Sequence, residues 1–154
     1  MFDIKAKQFA RGAGKSLQIG RMTIYCQITS DDTQGAYALM EAVVPPNSGS
    51  GLHRHWSYDE AVLVLGGKFE CHSDGKLVTL GEGESVYWPR GAVHNFRSVG
   101  PQDGRILFLC SPGKIFEDFI ERIAASRVDG GNAVSGPAID FRALASKFGI
   151  EMLD

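Results

Sequence analysis

Leu52-His53-Arg54-His55-Trp56-Ser57-Tyr58-Asp59-Glu60-Ala61-Val62-Leu63-Val64-Leu65-Gly66-Gly67 sets two histidines one residue apart, then a glutamate, at the head of an apolar run that stops on paired glycines. Alternate residues of a strand point to the same face, so His53 and His55 can present two imidazoles to one point. Glu60 lies at an odd offset from His55, which on a continuous strand puts it on the opposite face. A turn or bulge through Trp56-Ser57-Tyr58-Asp59 is therefore needed to re-aim its carboxylate.

Farther on, Gly83-Glu84-Ser85-Val86-Tyr87-Trp88-Pro89-Arg90-Gly91-Ala92-Val93-His94 supplies a third imidazole, His94, after a Pro-Arg-Gly turn that opens a new strand. Three neutral nitrogens and one carboxylate suit a borderline divalent ion such as iron, cobalt, nickel, manganese or zinc. Taken singly, each histidine reads as readily as a solvated strand-end residue. The ordered set of His53, His55, Glu60, Pro89, Gly91 and His94 is what points to a metal. Ligation needs neutral imidazole, so metal affinity is expected to decline as pH falls through about 6.5.

The chain has 154 residues, enough to bury one good core. Its 44% hydrophobic and 22% charged residues, with a net charge of -2, fit a globular protein and offer no basic excess for nucleic acid or an anionic membrane. No apolar run after Met1 reaches signal-peptide length, and apolar runs elsewhere are strand-sized, so a cytoplasmic location is expected. Cys26, Cys71 and Cys110 are odd in number and far apart, which favours reduced core thiols.

Short β-rich segments separated by turn signals dominate the chain. Arg21 to Ile28 alternates, with Met22, Ile24, Cys26 and Ile28 on one face; Ala36 to Val44 is apolar on both parities and ends at Pro45-Pro46. Segments 61–65, 69–72, 77–80, 86–88, 94–97 and 106–110 repeat the cadence, which predicts an antiparallel sandwich or barrel. At Ser111-Pro112 the period changes to a helix carrying Ile115, Phe116, Phe119, Ile120 and Ile123 as one stripe. After a linker-like stretch at 129–136, a second helix places Phe141, Leu144, Ala145 and Phe148 at helical spacing, and Gly149 ends it. Both helices are expected on the barrel exterior or against a partner subunit, their aromatic residues serving as packing.

These motifs resemble those of the cupin superfamily. The first cluster is similar to its first motif, two histidines separated by one residue, a glutamate and a glycine-terminated strand; the second is similar to its proline, glycine and histidine motif. Two departures concern turn geometry more than ligation. Asn47 stands where a glycine often precedes the first histidine, and Ser98 where an asparagine often follows the last. The segments Ser111-Pro112-Gly113-Lys114-Ile115-Phe116-Glu117-Asp118-Phe119 and Phe148-Gly149-Ile150-Glu151-Met152-Leu153 resemble single-domain cupins of the quercetinase-like group.

The resemblance implies a mostly β fold, a single-domain double-stranded β-helix or jelly-roll barrel over about 20–110, with a C-terminal helical extension over about 111–154. It implies one divalent metal ion on His53, His55, Glu60 and His94, with Glu60 also a proton acceptor. The expected function is dioxygenase-type oxidation of a small enolic or phenolic aromatic compound, with dioxygen as co-substrate and a homodimer as the assembly. Redox-neutral isomerase, lyase or polyketide-cyclase chemistry, or non-catalytic binding of a small molecule, are the alternatives.

Other local signals are weaker. Gly12-Ala13-Gly14-Lys15-Ser16 lacks the glycine and the preceding strand that a phosphate loop needs. Asp31-Asp32 reads as a turn, and His72, beside Ser73-Asp74-Gly75, as a surface residue. Tyr58, Trp88 and Phe96 are candidates to line a pocket for a planar molecule, core packing being the preferred reading for Trp88 and Phe96.

Overall fold

A computed structural model describes residues 5–126 and 140–154. The described strands are β1 (Lys15–Ile19), β2 (Met22–Ile28), β3 (Ala38–Val44), β4 (His53–His55), β5 (Asp59–Gly66), β6 (Phe69–Ser73), β7 (Lys76–Leu80), β8 (Ser85–Trp88), β9 (His94–Ser98) and β10 (Gly104–Ser111). Helices α1 (Lys114–Ser126) and α2 (Phe141–Lys147) follow, and β11 (Ile150–Met152) comes last. The strands form two antiparallel sheets, ordered β1-β2-β3-β10-β5-β8 and β11-β4-β9-β6-β7. This is the expected mostly β, jelly-roll arrangement with short C-terminal helices.

Alternation along the strands places the core between the sheets. Met40, Val62, Val64 and Ile106 face inward from the six-stranded sheet, and Phe69, Cys71 and Phe96 from the five-stranded one. Each such side chain contributes roughly 1.5–3 kcal/mol by leaving water. All three cysteines are buried and unpaired. The Ser73-Asp74-Gly75 signal is the hairpin joining β6 to β7, with Asp74 and Gly75 both at positive φ, as a tight two-residue connection requires. The Gly12-to-Ser16 segment leads into β1 and forms no loop–helix junction.

Four differences from the sequence reading have physical causes. The first helix starts at Lys114 and not at Ser111, because Ser111 is still paired with Asp59 as the last residue of β10. Lys15–Ile19, with little apolar periodicity, becomes a strand by pairing with β2. Ile150–Met152, placed by sequence in the helical extension, pairs with β4. The helices do not simply coat the exterior: Phe116, Phe119, Ile120, Ile123 and Phe141 line the internal cavity. The linker-like stretch at 129–136 lies outside the described residues.

Candidate metal centre

The two histidines of β4 belong to one sheet and Glu60 to the other. β4 pairs with β9 through His53 and His94, while β5 sets Glu60 between Trp88 of β8 and Cys110 of β10. The chain changes sheets through Trp56-Ser57-Tyr58. The re-aiming expected between His55 and Glu60 is therefore a crossing of the barrel, and the parity of a continuous strand no longer applies. Gly91 ties the two motifs together: its N–H donates to the His55 carbonyl at 2.8 Å. Its φ of +81° and the Trp56 ring, 3.0 Å from where a Cβ would stand, favour glycine here.

His53, His55, Glu60 and His94 converge, each offering one ligand atom, and those atoms all lie within 4.8 Å of one another. His55 and His94 have no exposed surface and Glu60 has 4%. The imidazoles are fixed from behind. His53 Nδ1 donates to the Gly51 carbonyl at 2.8 Å, His55 Nδ1 to Tyr58 at 2.8 Å and His94 Nδ1 to Ala92 at 2.9 Å. A carbonyl can only accept, so the Nδ1 atoms carry protons, and a ring that is neutral presents its Nε2 lone pair to the centre. Ring stacking adds restraint, Tyr58 on His55 at 3.9 Å and Trp88 on His94 at 4.3 Å between centroids. Trp88 is core, as expected, and its indole N–H donates to Ser73 Oγ at 2.7 Å.

Electrostatics agree with a cation-accepting cluster. Burial pulls the Glu60 carboxyl upward, but the His55 and His94 imidazoles facing it outweigh this in their protonated form and hold the group at about 2. Burial pushes His53 down to about 4, so its imidazole is neutral at physiological pH. His55 Nε2 lies 3.0 Å from Glu60 Oε2 and His94 Nε2 lies 3.6 Å from it. His94 Nε2 is sealed from solvent with no hydrogen-bond partner. A buried lone pair facing a carboxylate is unfavourable unless a proton or a metal cation lies between them, so the donor set fits a divalent ion.

The cluster borders a cavity of about 420 Å³ reached by His53, Tyr58 and Glu60. Its walls are mainly apolar: Phe96 and Phe108 from the sheets, Phe116, Phe119 and Phe141 from the helices, and Ile150 and Met152 from β11. Of the aromatic candidates, Tyr58 and Phe96 line this space. Sequence reasoning missed the contribution of the helices and of β11. The available signal was the continuation of the Phe116, Phe119, Ile120 and Ile123 stripe onto a barrel mouth. His72 sits outside the cluster, half-buried, its backbone N–H donating to Asn95 Oδ1 at 3.0 Å.

Residues 40–110 match the cupin domain family. The chain is 29% identical over 110 residues to polyketide synthase CurC of Streptomyces cyaneus, covering 71% of this chain and 68% of that one. It is 30% identical over 95 residues to mannose-1-phosphate guanylyltransferase of Escherichia coli, covering 62% of this chain and 20% of that enzyme, so it spans a fifth of that relative's length. Among solved structures, KdgF from Halomonas sp. superposes with a TM-score of 0.63 at 16% identity, over 70% of this chain and 94% of that one. The polyketide cyclase RemF from Streptomyces resistomycificus superposes with a TM-score of 0.60 at 24% identity, over 70% and 80%. At these identities the two structures share a fold with this chain and nothing finer. Among the described residues, no helix is long and apolar enough to cross a membrane.

Proposed function

From a chain that has the cupin fold and carries a cupin domain over residues 40–110, we propose a metal-dependent enzyme acting on a small enolisable or phenolic aromatic compound, with His53, His55, Glu60 and His94 holding one divalent ion. The observation that carries this reading is the convergence of three imidazoles and a carboxylate in a cluster that meets a largely apolar cavity through His53 and Glu60. When bound, the ion supplies Lewis acidity toward a substrate oxygen. Glu60, ionised at neutral pH, takes a proton from the substrate at its carboxylate. The phenylalanine walls hold a planar body and exclude water, which strengthens both interactions.

Two outcomes share that proton transfer. Redox-neutral ring closure or isomerisation is the reading we place first, supported by the similarity to a protein named for polyketide synthesis over 71% of this chain. Dioxygenase chemistry is the second, supported by a three-imidazole, one-carboxylate donor set that accepts redox-active first-row ions. The test is metal analysis of purified and reconstituted protein, followed by incubation with flavonols, naphthols and aromatic β-diketones in an oxygen electrode. Conversion without oxygen uptake supports the first outcome and stoichiometric uptake the second. Failure to bind any divalent ion after reconstitution overturns the proposal.

A further inference from the structure

Tyr58 has a role that its packing does not account for. Its side chain is 1% exposed, lines the cavity and lies stacked on His55, while its backbone carbonyl accepts the His55 Nδ1 proton. The backbone contact and the ring already fix the imidazole; a phenylalanine would do both. The hydroxyl is therefore superfluous to holding His55, yet a buried phenol without a partner is costly.

No described residue hydrogen-bonds that hydroxyl. The buried side-chain polar atoms that are both sealed and unpartnered among the described residues are His94 Nε2 and Ser98 Oγ. The Tyr58 hydroxyl is not one of them, so it borders free space, and the free space its side chain lines is the cavity. Tyr58 and Glu60 are two residues apart where β5 begins and both reach that space. The cavity wall thus includes an acceptor and a donor from residues two apart in the chain, facing a space lined mainly by phenylalanine, isoleucine and methionine on its helical side.

We propose that the Tyr58 hydroxyl donates a hydrogen bond to an oxygen of the bound substrate, making Tyr58 a substrate-orienting residue that selects aromatic molecules carrying an oxygen over their hydrocarbon counterparts. This deepens the proposed function and rests on the cavity being the substrate site. It does not require the metal. No bond is made or broken by Tyr58; the hydrogen bond fixes which edge of the ring system faces Glu60.

The experiment measures dissociation constants of 2-naphthol, 2-methoxynaphthalene and naphthalene for wild type and Tyr58→Phe, in metal-stripped and metal-reconstituted protein. The ether accepts a hydrogen bond but has no proton to give Glu60. Loss of about tenfold for naphthol and the ether, with naphthalene unchanged, is expected; tenfold corresponds to about 1.4 kcal/mol. Equal affinities in the two proteins, or equal losses for all three probes, overturn the assignment. Should Tyr58→Phe be poorly folded, the wild-type preference for the ether over naphthalene decides the matter, no preference overturning it. A protein that keeps the tenfold difference but binds no metal separates failure of the metal reading from failure of this one.

Discussion

His55 Nε2 and Glu60 Oε2 face each other across the barrel at 3.0 Å, and with the Nδ1 proton given to the Tyr58 carbonyl a neutral His55 sets two acceptors against each other. A divalent cation relieves that opposition in the folded chain only. Adding metal at a hundred times its dissociation constant is expected to stabilise the fold by about 2.7 kcal/mol, which raises the melting temperature by several degrees. Thermal scans of stripped protein with and without zinc or cobalt check this. His53→Ala combined with His94→Ala removes two donors, and a shift of equal size in that variant would show that the ion binds elsewhere.

Glu60→Gln separates ligation from proton transfer. The amide oxygen still points at the cluster but accepts no proton at neutral pH. Metal content measured by mass spectrometry is expected to stay above half of wild type, while turnover of any converted aromatic compound falls at least a hundredfold, as removal of a general base does. Undiminished turnover would remove Glu60 from the chemistry.

Two groups of the metal-free centre, His53 and Glu60, have displaced titrations that tie stability to pH. His53 titrates at about 4 in the folded chain against about 6.5 for free histidine. The unfolded chain therefore binds that proton first, and the stability tied to a neutral His53 is whole above pH 6.5 and shrinks as pH falls toward 4. Glu60, at about 2 when folded against 4.5, contributes stability that is present above 4.5 and lost as pH falls through 2. Melting temperatures of stripped wild type and His53→Leu between pH 7 and 3 should diverge from pH 6.5 downward, the variant lacking the first decline; parallel curves would refute the assignment. For this ligand, proton competition with the metal also begins lower than the sequence alone suggests.

His53, His55 and His94 were legible from strand parity and a local turn, and Glu60 from its place in the first motif, where parity alone pointed the other way. The crossing between sheets was not, since no local pattern tells a bulge from a change of sheet. Likewise β11 is too short to show a period and exists through its pairing with β4. The two departures from the family motifs are linked in space. Asn47 takes φ of +61°, the left-handed region where glycine is usual and asparagine the best-tolerated substitute, and its N–H donates to the Ser98 carbonyl at 2.9 Å. Both departures therefore meet at one backbone hydrogen bond.

Gly91→Ala tests the junction between the motifs. A left-handed backbone costs a non-glycine residue about 1–2 kcal/mol, and the new methyl meets the Trp56 ring, which must shift. Because Gly91 N–H holds the His55 carbonyl, metal affinity should fall together with stability. Titration calorimetry with unfolding in urea reads both; a loss of stability with unchanged affinity would mean that the turn does not position His55.

Glu117 pins the helical roof of the cavity. It lies buried on α1 and accepts hydrogen bonds from the Ser30 backbone N–H at 2.9 Å and from the Ser30 hydroxyl. The same helix presents Phe116, Phe119, Ile120 and Ile123 to the cavity. Glu117→Ala leaves two buried Ser30 donors unpartnered, which costs about 1–3 kcal/mol by urea unfolding. The metal ligands stand on strands and not on this helix, so metal affinity should be unchanged while 2-naphthol binds more weakly as the roof loosens. Loss of metal affinity in this variant would instead tie α1 to the centre itself.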